Sequence, residues 1–312
     1  MNIQTKFDYL CQFTTTPGGE RWLVWWRLLR PHTLTASFIP VAIGTAMALP
    51  THRINILLFL SMLLASTLIQ AATNIFNEYY DFIAGLDHAQ SVGIAGALVR
   101  DKVSPKTILV LAYTFSVLAI LLGVYICIYT SWWIFSIGLI CIMVGYLYSG
   151  GPYPISATPF GELVSGTFMG LVIIIISFFI QAGTITLGSL LISGPTSILI
   201  GTILMSNNIR DLADDKAHGR KTLAILLGHE GAISCLTGML ACAYLWLLGL
   251  IFTGFLSYWA LLVLASLPKA HQAVKGFQNK TTAQQMMPAM TATAQTNTIF
   301  GLLLALALLL QY

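Results

Sequence analysis

The amino-acid sequence predicts an all-α membrane protein with nine transmembrane helices. Composition is the first reason, because 57% of the 312 residues are hydrophobic and only 8% are charged, whereas soluble domains carry about 25% charged residues. The second reason is that nine segments each provide the run of about 20 mostly apolar residues that an α-helix needs to cross a bilayer. Together these observations exclude an ordinary soluble domain.

The nine apolar segments follow one another along the whole chain. They run near residues 33–50, 54–76, 107–128, 131–149, 160–181, 186–206, 231–252, 255–275 and 289–311. The eighth segment is the weakest, because Pro268, Lys269 and His271 interrupt it. A polar helix that extends beyond the membrane is the alternative for this segment.

The charged residues fall almost entirely on one side of this arrangement. Of the 15 basic residues only Arg53 falls on the other side, and all 11 acidic residues lie on the same side as the N-terminus. Because Arg and Lys favour cytoplasmic loops, we expect residues 1–30 to form a cytoplasmic N-terminal segment. Acidic residues do not normally follow this rule, so we expect a metal site on that side to account for their position.

A polar stretch, NNIRDLADDKAHGRKTLAILLG at residues 207–228, follows the sixth apolar segment. Asn207, Asp211 and Asp215 recur at every fourth residue, so their side chains share one face of a helix. Two carboxylates and an amide on one face form a hard-oxygen site suited to Mg²⁺ that holds a phosphate. Nearby cations suit the remaining phosphate charge; these are Arg210, Lys216, Arg220 and Lys221.

A second polar stretch, TNIFNEYYDFIAGLD at residues 73–87, ends the second apolar segment. Asn74, Glu78 and Asp81 share a face at spacings of four and three residues. Two such stretches predict two walls of one cleft with a divalent metal between them. The alternative is a pair of solvated helix ends, whose exposed ion pairs each contribute about 0–1 kcal/mol. Asp87 lies off this face and would reach a second metal only if Gly85 ends the helix.

Two further loops lie on the same side of the predicted bundle. The loop SVGIAGALVRDKVSPK carries Arg100 and Lys102, either as a flexible basic surface or as part of a lid over a diphosphate. The loop GYLYSGGPYPISATPFGEL carries Tyr146, Tyr148 and Tyr153 between turn-forming Gly and Pro residues. These tyrosines belong either to the aromatic belt at the membrane surface or to the wall of a pocket for a flat aromatic substrate.

Several other chemistries are not indicated by the sequence. The five cysteines show neither metal-ligand spacing nor a disulfide framework, and no nucleotide-binding glycine motif follows a strand. No Ser–His–Asp or Cys–His arrangement is evident. A net charge of +4 spread over membrane edges gives no reason to expect nucleic acid as a partner.

The paired motifs NEYYD…GLD and NNIRDLADDKAHGRKTLAILLG, with the SVGIAGALVRD loop and the GGPYPISATPFGE turn, resemble those of the UbiA superfamily of intramembrane aromatic prenyltransferases. Within it, the likeness is greatest to the branch that acts on 1,4-dihydroxy-2-naphthoate in menaquinone synthesis. The likeness runs nearly end to end. It implies one domain over residues 1–312, located in the cell membrane. It also implies a bundle of nine helices around a central cavity open to the cytoplasmic side and to lipid.

The resemblance further implies Mg²⁺-dependent transfer of a polyprenyl group from polyprenyl diphosphate to 1,4-dihydroxy-2-naphthoate with loss of CO₂. The expected metal-binding and catalytic residues are Asn74, Glu78, Asp81, Asp211 and Asp215. Glu78 stands where much of the superfamily has Asp. The candidate substrate-binding residues, taken from charge, position and resemblance together, are Arg100, Lys102, Asn208, Lys216, Arg220, Tyr146, Tyr148 and Tyr153.

Two alternatives to this reaction remain open at the level of the sequence. One is the same chemistry on another aromatic acceptor, such as 4-hydroxybenzoate or haem. The other is a secondary transporter, which the pattern disfavours because transporter carboxylates lie near the bilayer midplane, whereas the acids of this chain lie at helix ends on one side.

Overall fold

The structure, a computed structural model, describes residues 21–49, 51–88, 91–92 and 96–311, apart from the side chains of Arg21 and His32. The predicted N-terminal segment is therefore described only from residue 21, and Gly93 of the SVGIAGALVRD loop lies outside the described residues. Within the described ranges the chain forms ten α-helices and no strand. This confirms the prediction of an all-α protein.

The helices are numbered in chain order. They are α1 Arg21–Leu28, α2 Pro31–Ala48, α3 Ile56–Ala84, α4 Pro105–Tyr129, α5 Trp133–Ser149, α6 Gly161–Ala182, α7 Leu187–Ala217, α8 Leu223–Phe252, α9 Leu267–Phe277 and α10 Ala283–Leu309. Within α6, a π-helical stretch at Gly166–Val172 joins two α-helical parts. A 3₁₀ helix, Tyr258–Ser266, runs directly into α9.

The described helices match the predicted spans, with one exception in form. Six of them, α3, α4, α6, α7, α8 and α10, are long and apolar enough to cross a membrane, and the apolar helices α2 and α5 are shorter. The weak eighth segment is the 3₁₀ helix followed by α9. The count of nine spans is therefore approximate, because this segment is not one continuous α-helix and the short α1 precedes the first span.

The connections between the long helices lie at two ends of the bundle. At one end, the Asn55 backbone N–H donates to Gln181 Oε1 at 2.8 Å, and Gln181 Nε2 donates to the Asn55 carbonyl at 3.2 Å. The described residues of the connections at 85–104, 150–160, 218–222 and 278–282 lie at the opposite end, which we call the polar end.

Helix α7 has 31 residues, so at 1.5 Å per residue it is about 46 Å long. The hydrocarbon core of a bilayer is only about 30 Å thick. If the N-terminus of α7 lies near one membrane surface, its last turns at the polar end lie at the other surface or beyond it. With α7 placed in this way, the 207–217 stretch lies in the interfacial region rather than in the hydrocarbon.

Close contacts between helices hold the bundle together around α2 and α7. A Cβ atom on Gly44 of α2 would overlap with the Ile174 carbonyl oxygen of α6 and would lie 2.7 Å from Ser177 Cβ. Small residues at such crossings let helix backbones approach closely, as is common in membrane bundles. The contact fixes α2 against α6, and these helices form part of the frame of the cavity.

We expect Gly44→Ala to lower the stability of the purified protein by about 1–3 kcal/mol, because the new methyl group has no space unless the α6 backbone moves. Gly249 of α8 is the matched control, since a Cβ there would meet nothing within 4 Å. Gly249→Ala should raise stability by up to about 1 kcal/mol through helix propensity. Thermal unfolding in detergent measures both changes, and midpoints that shift in the same direction would contradict the packing described.

Candidate active site

A cavity of about 540 Å³ extends from the polar end deep into the bundle between α3 and α7. Its deep part is apolar, and its walls there include Met62, Ile126, Ile134 and Ile176. These four residues lie within about two turns of the helix ends opposite the polar end. Its outer part is lined by carboxylates, amides and guanidinium groups. The cavity thus suits a ligand with a polar, anionic head and a long hydrocarbon tail.

The two acidic stretches meet at the polar part of this cavity through Arg220. Its Nη2 donates to Asp81 Oδ1 at 2.6 Å, and its Nη1 donates to Asp215 Oδ1 at 3.1 Å. Asp81 and Arg220 are 139 residues apart in the chain. The stretches therefore form two walls of one cleft, as their sequence pattern led us to expect.

The turn after α7 places Arg220 between these carboxylates. The Arg220 backbone N–H donates to the Asp215 carbonyl at 3.0 Å, and the Lys221 N–H donates to the Ala157 carbonyl at 2.9 Å. Burial alone would lower the pKa of Arg220, but Asp81 and Asp215 outweigh burial and raise this pKa above its ordinary value. The guanidinium therefore remains charged and offsets the repulsion between the two acids.

The first acidic stretch reaches the cavity through Asn77 and Asp81. Asn77 Nδ2 donates to Asp81 Oδ2 at 2.7 Å and to Ser149 Oγ at 3.1 Å, while Arg30 Nη1 donates to Asn77 Oδ1 at 2.9 Å. Asn74 also lines the cavity. Its Nδ2 donates to the Leu29 carbonyl and to Thr33 Oγ1, both at 2.9 Å, so Asn74 also fixes the start of α2.

Asp87 lines the cavity because helix α3 ends at Gly85, as the sequence analysis required for this. Gly85 adopts a left-handed conformation with φ of 76°, which glycine tolerates and which commonly ends a helix. The following residues turn back, and Asp87 lies near Asp81. Burial first, and then the nearby carboxylates of Asp81 and Glu78, together raise the pKa of Asp87 to about 7 against the opposing effect of Arg30 and Arg220.

Glu78 is the expected metal ligand that the structure does not bring into the cavity. Its side chain is 1% exposed and is not among the described residues that line the cavity. Glu78 Oε1 accepts from the Ala97 backbone N–H at 2.8 Å, and its Oε2 lies 3.6 Å from Arg30 Nη2. Helix rotation alone does not explain this, because Glu78 is four residues after the cavity-lining Asn74; its contacts with the Ala97 N–H and Arg30 hold the carboxylate toward the loop at residues 96–98 instead.

The second acidic stretch faces the cavity with Asn207, Asn208, Asp211, Asp214 and Asp215. Asn208 Nδ2 donates to the buried Glu162 Oε1 at 2.8 Å. Arg210 also lines the cavity, and its Nε donates to Asp211 Oδ1 at 2.6 Å. The sequence pattern had predicted the alignment of Asn207, Asp211 and Asp215 on one face.

The expected substrate-binding tyrosines divide into one that lines the cavity and two that do not. Tyr148 is a wall residue. Tyr146 accepts a hydrogen bond from the Tyr80 hydroxyl at 2.9 Å and packs edge-on against Phe76 at 5.4 Å. Tyr153 is 90% exposed. Tyr146 thus contributes to packing between α3 and α5, and Tyr153 projects from the turn after α5.

The expected cations divide in a similar way. Arg220 lies in the cavity, whereas Arg100, Lys102 and Lys216 are exposed and are not among the described residues that line it. Arg100 Nη2 lies 3.3 Å from Asp101 Oδ2. Lys216 directly follows Asp215 on α7, so it points away from the face that carries the acids.

Several polar lining residues were not among the expected site residues, and Asn77, Arg30 and His88 are three of them. Asn77 had a usable signal, since it precedes Asp81 by four residues. Arg30 had no such signal from helical spacing, because it lies 47 residues before its hydrogen-bond partner Asn77. His88 had only its proximity in sequence, and its Nε2 lies 3.8 Å from Asp214 Oδ1 across the cavity mouth.

Comparisons with known proteins agree with this architecture. The chain is 56% identical over 287 residues to the 1,4-dihydroxy-2-naphthoate octaprenyltransferase of Bacillus subtilis (strain 168), with 92% of each chain covered. It is 28% identical over 279 residues to the Mycobacterium tuberculosis protein of the same name, covering 89% of this chain and 94% of that one.

Among solved structures, a UbiA homolog from Archaeoglobus fulgidus bound to DMAPP and Mg²⁺ superposes with a TM-score of 0.64. The match covers 90% of this chain and 98% of that chain at 15% identity, so it supports the fold alone. The family model of UbiA prenyltransferases matches residues 37–293, a range that includes both acidic stretches and most of the described bundle. The chain therefore belongs to the UbiA prenyltransferase family.

Proposed function

We propose that this protein transfers a polyprenyl group from polyprenyl diphosphate to 1,4-dihydroxy-2-naphthoate, with loss of CO₂, in a Mg²⁺-dependent step of menaquinone synthesis. The observation that carries the proposal is the junction of two acidic stretches at the polar end of a deep apolar cavity. The 56% identity with the B. subtilis 1,4-dihydroxy-2-naphthoate octaprenyltransferase supports the choice of acceptor.

The polar part of the cavity fits magnesium in the chemistry of its donors. Asp81, Asp87, Asp211 and Asp215 supply carboxylate oxygens, and Asn77 supplies an amide oxygen, which are the hard ligands Mg²⁺ prefers. Asp87 lines the cavity, and its Oδ2 is buried without a hydrogen-bond partner among the described residues, so this oxygen is available to a cation.

Within the described residues no three His, Cys, Asp or Glu side chains are arranged to hold a metal by themselves. This agrees with the usual behaviour of Mg²⁺, which takes one or two carboxylates and completes its shell with water and substrate phosphates. Asp81 with Asp87 on one wall, and Asp211 with Asp215 on the other, would hold the ions against the diphosphate.

The arginines of the cavity would bind the diphosphate and stabilise its departure. Arg220 uses one N–H of each terminal nitrogen on Asp81 and Asp215, and its other N–H groups remain suited to phosphate oxygens. Arg30, just before α2, and Arg210, on α7, add positive charge. Bound Mg²⁺ would neutralise charge as the allylic C–O bond breaks and diphosphate leaves with the bonding electrons.

The apolar walls would protect the reactive allylic fragment. They exclude water, which would otherwise capture a carbocation, and the ring of Tyr148 would stabilise positive charge through its face. The naphthoate carbon that carries the carboxylate would form the new C–C bond. Its bond to CO₂ would then break and return an electron pair to the ring. The prenyl tail would lie along the deep cavity, whose apolar walls replace its contacts with lipid.

We further propose that the polar end faces the cytoplasm and that the protein resides in the cell membrane. The basic residues at that end support this orientation, since Arg53 is the described basic residue in the connections of the opposite end. A transporter is the less favoured alternative, because the acids cluster at helix ends rather than at the midplane.

An acceptor panel tests the proposed reaction. Purified protein with Mg²⁺ and a labelled prenyl diphosphate should prenylate 1,4-dihydroxy-2-naphthoate and release its carboxylate as CO₂, and EDTA should abolish both. Asp81→Asn and Asp211→Asn should lower kcat by about a hundredfold or more, because each would weaken the binding of the Mg²⁺ that neutralises the leaving diphosphate. The exposed Glu230 provides the control variant, Glu230→Gln. Transfer to 4-hydroxybenzoate instead, or solute uptake by proteoliposomes without transfer, would reject the proposal.

The pKa of Asp87 predicts a pH-dependent stability in the absence of metal. Its pKa is about 7 when folded and about 3.9 when unfolded. The resulting stabilisation is therefore fully present below about pH 4 and is lost as pH rises through 7. In EDTA, the wild type and Asp87→Asn should have similar unfolding midpoints at pH 4.5, and the variant should be the more stable at pH 8. If the unfolding midpoints of the two proteins change with pH in parallel, the raised pKa assigned to Asp87 is contradicted.

Two glycines predict where the end of the prenyl tail lies. Gly123 of α4 and Gly138 of α5 line the deep cavity, and a Cβ on either would meet nothing within 4 Å. Gly123→Phe and Gly138→Phe should fill this space and lower kcat/KM for donors of 20 or more carbons about tenfold or more. Geranyl diphosphate should be affected less than about threefold.

Gly238 of α8 is the matched control for these variants. A Cβ there also meets nothing within 4 Å, and Gly238 is not among the described residues that line the cavity. Gly238→Phe should leave both donors unaffected. Equal losses for short and long donors in the α4 and α5 variants would place the tail elsewhere.

A further inference from the structure

We infer that Glu78 is a positioning residue, which holds the loop at residues 96–98 and Arg30 against α3 and is not a magnesium ligand. The inference rests on the proposed function, because it concerns the geometry of the same carboxylate site. It differs from the expectation that Glu78 ligates metal, and the contacts of Glu78 carry it.

The first contact joins Glu78 to the backbone of the loop. Oε1 accepts from the Ala97 N–H at 2.8 Å and, more weakly, from the Leu98 N–H at 3.5 Å. Ala97 is 0% exposed and Leu98 is 5% exposed. Buried N–H groups need a partner in the folded protein, and the carboxylate of Glu78 is the partner of these two. The loop is thus fixed to α3 at this point.

Apolar packing holds the same loop from its other side. Ala97 and Leu98 belong to a buried cluster with Val24 and Leu28 of α1 and with Ile75 of α3. The cluster places the loop backbone directly beside Glu78. The loop, α1 and α3 therefore form one packed unit, in which Glu78 satisfies the polar groups and the apolar side chains provide the burial.

The second contact joins Glu78 to the cavity through Arg30. Arg30 Nη2 lies 3.6 Å from Glu78 Oε2, and Arg30 Nη1 donates to Asn77 Oδ1 at 2.9 Å. Arg30 has φ of 49° and ψ of 67°, a left-handed conformation that is unfavourable for a residue with a side chain. Such conformations persist where surrounding contacts fix them and are frequent at functional sites.

These contacts form a continuous path from the loop to the cavity. Ala97 binds Glu78, Glu78 faces Arg30, Arg30 binds Asn77, and Asn77 binds Asp81 at 2.7 Å. Glu78 Oε2 makes no hydrogen bond among the described residues, so the loop N–H groups on Oε1 and the ion pair with the partly buried Arg30 are the contacts that hold the carboxylate away from the cavity. Glu78 instead determines where Asn77 and Asp81 lie.

The contact with the loop requires a side chain of the length of Glu78. Aspartate at position 78 would withdraw the carboxylate by about one C–C bond, roughly 1.5 Å. This is enough to break a hydrogen bond of 2.8 Å. Glutamine would keep the length and one acceptor oxygen, and would lose the charge that faces Arg30. The two variants therefore separate the loop contact from the charge.

Hydrogen exchange of the Ala97 and Leu98 amides in the wild type is the decisive measurement. Exchange should be slow in EDTA and should remain equally slow after addition of Mg²⁺ with inorganic diphosphate. Exchange that becomes tenfold faster or more with Mg²⁺ would show that Glu78 leaves the loop for the metal and would overturn the inference. This measurement needs no acceptor, so its outcome is separate from failure of the proposed reaction.

The variants supply a second, independent test. In EDTA, Glu78→Asp should speed exchange at Ala97 about tenfold to a hundredfold, the range expected when a hydrogen bond to a charged group is lost. Glu78→Gln should speed it less, and the control Glu230→Gln not at all. The folded Glu78→Asp protein should show a kcat reduced about tenfold, with KM for the prenyl donor changed less than about threefold. Unchanged exchange and unchanged kcat in Glu78→Asp would overturn the inference.

Discussion

The site depends on one electrostatic arrangement, the guanidinium of Arg220 between Asp81 and Asp215. These acids come from helices far apart in sequence, and both are largely buried. Two carboxylates that face each other in a cavity repel, and an unpaired buried charge costs about 3–5 kcal/mol. Arg220 offsets much of that repulsion by binding Asp81 Oδ1 and Asp215 Oδ1. It thereby allows α3 and α7 to line one cavity opening. The turn that carries Arg220 is itself fixed by backbone hydrogen bonds to Asp215 and Ala157.

The position of Arg220 between the two acids constrains where helices α3 and α7 end. Helix α3 must end at Gly85 so that Asp87 returns to the cavity, and α7 must continue well beyond the bilayer thickness so that Asp211 and Asp215 reach the polar end. The remaining helices supply the apolar walls, which tolerate exchange of side chains of similar volume. The backbone positions are therefore most strictly constrained where the two acidic stretches meet.

Most of the fold and the location of the site could be predicted from the sequence because both depend on short-range periodicity. Apolar runs of bilayer length define the spans, and a spacing of four residues correctly aligns Asn207, Asp211 and Asp215 on the cavity face. The orientation of Glu78 was beyond such reasoning. Its position is decided by a loop N–H 19 residues later and by Arg30, 48 residues earlier, and neither contact leaves a local pattern.

The three tyrosines are a second example of positions that the sequence alone does not predict. Tyr146, Tyr148 and Tyr153 lie in one loop-flanking stretch with equivalent chemistry, yet only Tyr148 lines the cavity. Tyr146 is a little over half a helical turn away from Tyr148 and packs against Tyr80 and Phe76 instead. Which of three similar side chains faces a cavity is a question of helix rotation, and rotation is set by tertiary packing.

The excess length of α7 has a consequence for how an amphiphilic donor reaches the enzyme. Because the helix carries its acids to the interfacial layer while the cavity continues into the hydrocarbon, a lipid-soluble diphosphate keeps its head and its tail in their preferred media throughout binding. On the proposed function, the donor never has to leave the bilayer. Capture then becomes a search by lateral diffusion in two dimensions, and the concentration that governs the rate is the mole fraction of donor in the membrane.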